Sequence, residues 1–551
     1  MKKLFFALTL CCLPLISDSH VGSPGVTFEG KAGKYSVLVL ITPPDVIPGT
    51  ATVDIYTSTQ GLESVFAKPV YWYDGGKGAP TADQMLPVEA EPGHYRGIIW
   101  LMNPGTSGID LEINGGEGKG SVIVPVMAVS TAQKAMPPSL GWVLFGLCIF
   151  LVILMVTIIS ASVSDGLLKP NSDVDQKTIS RKRWIGAGVS AVILILILWG
   201  GQTWWNRWSK DYQRFLYKPF TASSFVSTQG NNSMLTFTID TVRLPTLFNT
   251  RRLSLIVPDH GKLMHMFMVR AGSMDVFAHL HPQRKDSTTF VTPLPDLPGG
   301  KYLIFADVTR WTGFAETIVD TIEIENKKLA SLVSHDTLPL GRDDTYFITN
   351  PIVQSQPGDA DVKDIVTCGK PGVKITLQDG SRAIWEHEAN KPFIRGKIYD
   401  LTFAIQDELG QPAKLEPYLG MMGHAVVMKD DGSVYIHLHP VGNYSMGSQQ
   451  TIVSRFKNES GPMDWTKLKK STLFMDSVDR VVSMLNAMTE EERNVILTSG
   501  MDHALTDASH PDHAVVKFPY SFPSAGNYRI WIQMKRNGKI LNSTFDALVE
   551  E

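Results

Sequence analysis

The sequence predicts a mainly β protein with three extracytoplasmic β-sandwich domains, of immunoglobulin-like or cupredoxin-like form, and two transmembrane helices. Short alternating hydrophobic runs separated by Gly and Pro turns fill most of the 551 residues, which is typical of sandwich strands. Two uncharged segments exceed the roughly 20 residues that a helix needs to cross a bilayer. A near-repeat of one histidine-rich hairpin indicates that two of the sandwiches are related.

Composition and motifs exclude several classes of function. The net charge of −3 and the 19% of charged residues indicate neither a nucleic-acid partner nor widespread disorder. The sequence has no GxxxxGKS/T phosphate loop, no nucleophile elbow and no HExxH helix, so nucleotide hydrolysis and the common hydrolase mechanisms are not indicated. Cys11 and Cys12 lie in the apolar start of the chain. Cys148 and Cys368 are predicted to lie too far apart to form a disulfide.

Residues 1–19 predict a secretory signal peptide. They contain two lysines, an apolar run and then small residues, and Ser17 and Ser19 fit cleavage before His20. An uncleaved anchor helix is the alternative, although the apolar run is short for a bilayer. Residues 20–133 then show strands such as "YSVLVLI" and "YRGIIWLM" between Gly and Pro turns, which predicts one β-sandwich.

Two transmembrane helices are predicted, at 139–163 and 184–206. The loop between them, 164–183, is basic, and the positive-inside rule places it in the cytoplasm; its cations are Lys169, Lys177, Arg181, Lys182 and Arg183. An aromatic belt marks the opposite interface, at Trp199, Trp204, Trp205 and Trp208. We expect a two-pass protein of the inner (cytoplasmic) membrane whose soluble domains face the periplasm. A buried pair of core helices is the alternative.

The rest of the chain contains an internal repeat. Residues 207–345 carry "MDVFAHLHP" and residues 346–551 carry "GSVYIHLHP", each after a strand with its own histidine and before a Gly-containing turn into an aromatic strand. These two units predict two related β-sandwiches in tandem. The second unit has a helical insertion at 443–513, with one helix near 477–499 whose start, at Thr489 and Glu492, fits a capping box.

The second copy of the motif predicts three converging imidazoles. His437 and His439 share one face of a strand, about 7 Å apart, since a strand rises ~3.3 Å per residue. "KDDGS" indicates a two-residue hairpin turn, which places His424 opposite His437 or His439. Opposed residues have Cβ atoms only about 5 Å apart, so the third ring lies beside the pair.

The first copy predicts the same arrangement with a different turn. His279 and His281 share a face, and His265 lies one residue farther from its hairpin pair than His424 does. An odd loop compensates for this offset, and we expect a three-residue loop around Gly272.

Converging neutral imidazoles indicate a transition-metal site, because imidazole suits copper, zinc, nickel and iron. Nearby methionines favour copper, since thioethers are soft ligands. Met422 would share the face of His424 and is the better candidate, whereas alternation places Met264 on the opposite face from His265, where filling the core is the alternative role. Zinc is the alternative metal. A type 1 blue-copper site is not indicated, because Cys368 has no neighbouring Cys-x-His-x-Met pattern.

Other candidate ligands lie outside the hairpins. An N-terminal histidine after signal cleavage can chelate copper, and the secondary candidates are His20, His94, Met446, His510 and His513. The remaining histidines, His260, His335 and His387, have no spacing that distinguishes them from chance.

The chain resembles a family of bacterial extracytoplasmic β-sandwich proteins, rich in His and Met, that are linked to copper or heavy-metal handling. The residues that match its two HLHP patterns are Met264, His265, His279, His281, His424, His437, His439, Met446 and Trp531. Residues 25–130, with "EPGHYRGIIWLMNPG" and "KGSVIVPVMAV", resemble FixH and YtkA-like periplasmic domains. The resemblance to FixH implies a role in the maturation of copper-containing respiratory oxidases, although FixH proteins carry their membrane helix before the domain and not after it.

Together these observations predict an inner-membrane-anchored copper-binding protein that buffers or delivers metal, or matures a copper enzyme. Its expected partners are the metal ion, the membrane and a membrane copper enzyme or transporter. One alternative is a copper-dependent oxidoreductase or a subunit of a membrane copper enzyme; another is a non-metal assembly protein whose histidines only hydrogen-bond. A deep pocket lined by Tyr435, Tyr444 and Trp531 would favour the oxidoreductase, and a shallow exposed site would favour delivery.

Overall fold

The computed structural model describes residues 20–21, 25–132, 136–166, 175–229, 232–240, 255–325, 340–352, 365–366, 368–388, 391–464, 466, 470–499 and 514–551. The predicted signal peptide lies outside these residues, as do His335, His503, His510 and His513. The chain forms two compact units, one of Met1–Ala128 with Lys218–Glu551 and the other of Val129–Tyr217. The predicted fold class is confirmed, because the chain is mainly β with several sheets and has two long apolar helices.

The first β-sandwich follows from strands whose residues are alternately buried and exposed, as in Tyr35–Thr42. Its strands pair in the orders β2-β3-β4-β8-β7 and β10-β9-β5-β6, around a core that includes Val39, Ile55 and Leu111. The strands of this part are β1 (His20–Val21), β2 (Val26–Ala32), β3 (Tyr35–Thr42), β4 (Gly49–Tyr56), β5 (Ser64–Tyr71), β6 (Asp83–Gln84), β7 (Leu86–Pro87), β8 (His94–Leu101), β9 (Gly105–Gly115) and β10 (Gly118–Ala128).

The smaller unit is an antiparallel helical hairpin of α1 (Pro138–Asp165) and α2 (Gln176–Phe215). Near one end Arg183 Nε donates to Ser164 Oγ at 2.9 Å, and near the other the Tyr212 hydroxyl donates to the Ala132 carbonyl at 3.4 Å. Both helices are long and apolar enough to cross a membrane. The helix α2 is longer at both ends than the predicted 184–206, so part of the predicted loop is helical.

The first histidine-motif domain, which we call repeat one, pairs its strands in the order β16-β17-β12-β11-β19-β18-β14-β15-β20-β21, with β13 beside β18. The predicted domain boundary after residue 345 falls inside β20. The strands are β11 (Thr221–Gln229), β12 (Asn232–Asp240), β13 (Ile256–Val257), β14 (His265–Arg270), β15 (Val276–Leu280), β16 (Gln283–Arg284), β17 (Thr289–Leu294), β18 (Gly300–Arg310), β19 (Ala315–Ile324), β20 (Thr345–Thr349) and β21 (Ile365–Val366).

The second, repeat two, has one sheet in the order β1-β28-β27-β30-β31-β22, with β25 beside β31, and another in the order β23-β24-β26-β29. Its elements are β22 (Cys368–Gly369), β23 (Lys374–Thr376), β24 (Arg382–Trp385), β25 (Phe393–Ile394), β26 (Ile398–Gln406), β27 (His424–Lys429), β28 (Val434–Leu438), α3 (Met446–Asn458), α4 (Ser471–Ala487), α5 (Glu490–Thr498), β29 (Val515–Ser521), β30 (Gly526–Arg536) and β31 (Lys539–Glu550).

The insertion of repeat two holds three described helices, whereas the sequence predicted one near 477–499. That segment breaks into α4 and α5 at Met488 and Thr489, because Thr489 adopts an extended N-cap conformation. The predicted capping box is confirmed. Thr489 Oγ1 accepts from the Glu492 backbone N–H at 3.3 Å, and the Glu492 carboxylate accepts from the Thr489 backbone N–H at 3.0 Å.

Replacing Thr489 by Ala should reduce the stability of α5 by about 1 kcal/mol, because the Glu492 N–H loses its acceptor. Amide hydrogen exchange along α5 measures this loss. Glu491→Gln, an exposed change in the same helical turn, serves as control, and equal exchange rates in the two variants would contradict the prediction.

The two repeats face each other through sheets of the same strand order, β19-β18-β14-β15 and β31-β30-β27-β28. All residues of β15 and β28 are buried, because one face of each strand contacts its own sandwich core and the other contacts the opposite repeat. Alternation therefore sends Met264, Met266 and Met268 into the core of repeat one. A separate buried layer lies between the repeats and consists of Phe267, Val269, Met274, Phe277, Phe305, Phe347, Val426, Met428, Tyr435 and Trp531.

The first β-sandwich packs directly on repeat two. Its core is continuous with Met421, Val441, Tyr444 and Met446, and the rings of Phe28 and Tyr444 lie 5.3 Å apart. The backbone N–H of Thr27 also donates to Asn443 Oδ1 at 2.7 Å. The turns that follow the second histidine motif are therefore packed between the first β-sandwich and the rest of repeat two.

Candidate metal centre

The hairpins set the histidine positions. In repeat two, Val426 pairs with His437 and Ala425 with Leu438, so that His424 stands opposite His439, one of the two predicted registers. The loop between β27 and β28 runs from Asp430 to Ser433 and is therefore longer than the expected two residues. It centres on Asp431 and Gly432, and the left-handed backbone of Gly432 (φ 72°) permits it.

In repeat one, Phe267 pairs with His279 and Met266 with Leu280, so that His265 stands opposite His281. The loop between β14 and β15 is odd, as predicted. However, it runs from Ala271 to Asp275 and is therefore longer than the expected three residues.

Two compact groups of three imidazoles result. One consists of His265, His279 and His281, which we call the first triad and which is the set predicted from the sequence. The other, the second triad, consists of His260, His424 and His439. Within each group one ligand atom per residue lies within 4.8 Å of the others. The structure therefore groups His260 of repeat one, and not His437, with His424 and His439.

The sequence reasoning missed His260 because it lies outside the hairpin. It occupies a tight turn with Gly261, and both residues have left-handed backbone (φ 51° and 79°). Leu419 and Gly420 form the same turn in repeat two (φ 52° and 80°). Each turn begins five residues before a hairpin histidine, so aligning the two copies as far as these turns would have shown a histidine where the other copy has leucine.

His437 lies between the triads. Its ring centroid is 4.5 Å from that of His439 and 5.5 Å from that of His424 in the second triad. It is also 5.5 Å from His265 and 6.1 Å from His279 in the first triad. The facing of the two sheets thus joins the seven histidines into one cluster, which we call the histidine centre.

In the first triad, one nitrogen of each ring donates a hydrogen bond to a group outside the triad, and the other nitrogen carries a lone pair that points toward the other two rings. His265 Nε2 donates to the Asp259 carbonyl at 3.1 Å, and His279 Nδ1 donates to Gln533 Oε1 at 2.7 Å. The remaining nitrogens, His265 Nδ1 and His279 Nε2, lie 3.3 Å apart. Each is the unprotonated atom of a neutral ring, so a cation between them satisfies both lone pairs.

His281 completes the first triad. Its Nδ1 donates to Asp344 Oδ1 at 2.7 Å. Asp344 also accepts from the backbone N–H groups of His281 and Gly341, both at 3.0 Å. These bonds favour its ionised form, whereas burial raises its pKa. His281 Nε2 is buried and has no hydrogen-bond partner among the described residues.

The second triad has more unpartnered nitrogens. His439 Nδ1 donates to the Tyr444 carbonyl at 3.1 Å, which leaves its Nε2 as the lone-pair atom. This atom, both ring nitrogens of His424 and both of His260 are buried without a hydrogen bond to any residue that the structure describes. His260 Nε2 lies 3.7 Å from Asp259 Oδ1. Buried polar atoms are nearly always satisfied, so this concentration of exceptions identifies a group of side chains that could hold a metal ion.

The repeats support each other's histidines. Gln533 faces His424 in the sheet of repeat two but accepts from His279 of repeat one. Asp307 faces His265 in repeat one, and its Oδ2 lies 3.5 Å from Nδ1 of His437 in repeat two. Each repeat therefore depends on the other for the orientation of one imidazole.

Burial keeps the centre neutral. Every one of the seven imidazoles is 9% exposed or less. Loss of water lowers the pKa of all seven, and it lowers the pKa of His260 and His439 to about 3. Neutral imidazole is the form that binds a metal ion.

The insertion helices cover one side of this centre. Leu485 of α4 and Leu497 of α5 lie against Gly261, where an added Cβ would stand 3.3 and 3.4 Å from their side chains. Arg493 of α5 forms a two-bond ion pair with Asp343, at 2.5 and 2.8 Å, next to the Asp344 that holds His281.

The other predicted ligands lie elsewhere or outside the described residues. Met264, Met422 and Met446 are in hydrophobic cores, where the alternation of the strands and the start of α3 direct them. Both ring nitrogens of His94 are engaged, at 2.8 Å from Glu91 and 2.7 Å from Asp54. The structure gives only the backbone of His20, and His510 and His513 lie outside the described residues. Both described cysteines, Cys148 and Cys368, are free thiols.

Comparison with known proteins gives one family match. Residues 378–466, which include His424, His437 and His439, match the family described as "Domain of unknown function (DUF8832)". No curated protein matches the chain.

Solved structures with distant similarity include dimeric latent PorU from Porphyromonas gingivalis, at 7% identity, over 92% of this chain and 32% of that one, with a TM-score of 0.14. A putative membrane anchored protein from Corynebacterium diphtheriae matches at 9% identity, over 96% of both chains, with a TM-score of 0.12. An endo-fucoidan hydrolase of glycoside hydrolase family 107 matches at 9% identity, over 96% of this chain and 44% of that one, with a TM-score of 0.13. Scores this low carry no argument about fold or function.

Proposed function

We propose that this chain is a membrane-anchored, periplasm-facing copper-binding protein that buffers or delivers copper or serves the maturation of a copper enzyme. The observation that carries the proposal is the pair of bare ring nitrogens, His265 Nδ1 and His279 Nε2, at 3.3 Å. Their opposite nitrogens both donate hydrogen bonds, so neither ring can offer a proton to the other. A cation bound between the two unprotonated nitrogens would accept both lone pairs.

Copper fits the ligand set better than zinc does. The inward atoms of the first triad are imidazole nitrogens, and its nearest carboxylate, Asp344, is held behind His281. Transferring an ion into a buried site costs more for a larger charge, so three neutral ligands in a site this dry favour monovalent Cu(I) over Zn²⁺. Imidazole is also a suitable copper ligand.

The membrane part of the proposal depends on the helices α1 and α2. Both pass the length and composition test for a bilayer span. The basic segment between the predicted spans, with Arg181, Lys182 and Arg183, argues for a cytoplasmic loop and hence for a periplasmic centre. A copper-handling role also agrees with the resemblance of the chain to extracytoplasmic metal-handling sandwich proteins.

A second candidate function is favoured by the burial of the centre. A site for rapid delivery is expected at the surface, yet all seven imidazoles are buried. A resident copper of an oxidoreductase, or of a subunit of a membrane copper enzyme, agrees with this burial. The rate at which a Cu(I) chelator such as bathocuproine disulfonate removes the metal separates the two: minutes indicate delivery, and many hours indicate a resident centre.

The test of copper binding uses the full chain, purified in detergent without an affinity tag and loaded with Cu(I). We expect copper to remain after desalting, and His279→Asn to weaken its binding more than 100-fold, because losing only an outer-shell partner already costs 10–100-fold. His387→Asn, a histidine outside the centre, is the matched control. Absence of copper from the parent protein, or equal retention in the two variants, would refute the proposal.

A further inference from the structure

We infer that the histidine centre binds two copper ions side by side, as one dinuclear site shared by the two repeats. This inference rests on the proposed function, since it concerns the number and coupling of the ions that the function requires. The repeated sequence motif by itself does not predict a dinuclear site, because two sandwiches in tandem could equally hold two separate, distant sites.

Each triad is sufficient for one ion. The first triad has one inward nitrogen on each of His265, His279 and His281, and the second has Nε2 of His439 with the unpartnered rings of His260 and His424. Three nitrogens in one group satisfy the usual ligand number of a copper site with an open position. The triads share no member, so neither ion deprives the other of ligands.

The triads also adjoin. The ring centroids of His260 and His265, one from each triad, lie 6.0 Å apart and edge to face. A metal–imidazole bond is about 2 Å long, so each ion would lie about 3 Å from the centroid of its ring, and two ions on such neighbouring rings would be at most about 12 Å apart. At that separation two Cu(II) ions interact magnetically.

His437, the seventh imidazole, connects the two triads into a single centre. His437 has a buried Nε2 with no hydrogen bond in the described part of the chain, and its Nδ1 faces Asp307 Oδ2 at 3.5 Å. The carboxylate orients the ring so that Nε2 points away from Asp307. Because His437 contacts rings of both triads, its free lone pair is available to either ion.

Charge around the centre agrees with two cations. Three carboxylates stand behind the imidazoles: Asp344 at His281, Asp307 at His437 and Asp259 at His260. Each of these carboxylates, when ionised, offsets one positive charge, whereas the nearby Asp343 is already paired with Lys262 and Arg493. Carboxylate–histidine pairs of this kind typically support metal ligands.

The test measures the copper stoichiometry of the full chain in detergent after it is loaded with Cu(I) and desalted. Electron paramagnetic resonance is then recorded on the same sample after chemical oxidation of the bound copper to Cu(II). We expect two copper ions per chain, with a spin count well below two or a half-field signal that reports coupling. His281→Asn and His439→Asn should each retain one copper with an ordinary mononuclear spectrum. His437→Asn should still bind two, because both triads remain complete.

The outcomes separate this inference from the proposed function. One copper in the parent protein that His279→Asn removes would overturn the dinuclear site and leave copper binding intact. Two copper ions with an uncoupled spectrum, which has the full spin count and no half-field signal, would also overturn it. No copper at all would refute both. Measurements on the parent protein alone distinguish these results, so a variant that fails to fold does not change the conclusion.

Discussion

Lowering the pH from 7.5 to 5.5 should destabilise the metal-free chain by at least about 3 kcal/mol. Burial lowers the pKa of His260 and His439 from 6.5 to about 3, so below pH 6.5 the unfolded chain binds protons that the folded chain does not. Each of these imidazoles then costs about 1.4 kcal/mol per pH unit. The pKa values of the other five shift in the same direction. Burial raises the pKa of Asp307 and of Glu29 to about 7, so proton uptake by these two carboxylates in the folded chain offsets part of the loss. The contribution of the buried imidazoles to stability is complete above pH 6.5 and is lost as the pH falls toward 3.

Urea unfolding of the metal-free, detergent-solubilised chain, followed by circular dichroism across this pH range, measures the effect. His260→Leu introduces the residue found at the equivalent turn of repeat two, Leu419. It should reduce the dependence of the unfolding free energy on pH by about 1.4 kcal/mol per pH unit. A slope equal to that of the parent protein would show that the acid sensitivity arises elsewhere. Bound copper occupies the same lone pairs as the protons and should move the acid midpoint to lower pH.

Replacing Trp531 by Ala should cost about 4 kcal/mol of stability and should also weaken copper binding. Trp531 is fully buried between the repeats, where its ring stacks on Phe277 with centroids 5.0 Å apart. Removing so large a ring leaves a cavity, and buried Trp→Ala changes typically cost 3–5 kcal/mol. The cavity also loosens the contact on which the two triads depend.

Trp385→Ala is the matched control, because Trp385 is equally buried but lies in the internal core of repeat two. Urea unfolding should give a similar loss for both variants, whereas copper affinity should fall only for Trp531→Ala. Equal copper affinities in the two variants would mean that the layer between the repeats does not position the histidines. Trp531→Phe, which removes an indole N–H that has no partner among the described residues, should be tolerated far better.

Because the histidine centre lies between the repeats, binding and folding are linked in this protein. The hydrogen bond that orients His279 and the 3.5 Å approach of Asp307 to His437 both cross from one repeat to the other, so neither repeat alone holds a complete set of supports. A ligand that binds only the assembled repeats stabilises that assembly in proportion to its affinity. The first β-sandwich adds a further support, since it packs on the turn that contains Tyr444, whose carbonyl holds His439.

The sequence by itself determined the local part of this arrangement. Alternating residues predicted strands, two long uncharged segments predicted the apolar helices, and hairpin chemistry predicted that His265 and His424 lie beside their His-x-His pairs. These features depend on backbone periodicity and on turns of a few residues, which are local properties of the chain. The capping box at Thr489 is of the same kind.

Only the tertiary structure decided how the local groups combine. The residue periodicity of neither copy predicts that their sheets face each other. That contact joins residues far apart in the chain, such as His279 and Gln533, which are 254 positions apart. For this reason His437 could not be placed between the triads, and His260 could not be distinguished from a chance histidine. Alternation had already placed Met264 on the opposite face from His265, but Met422 was expected on the face of His424, and only the tertiary structure showed that it lies in the core of repeat two.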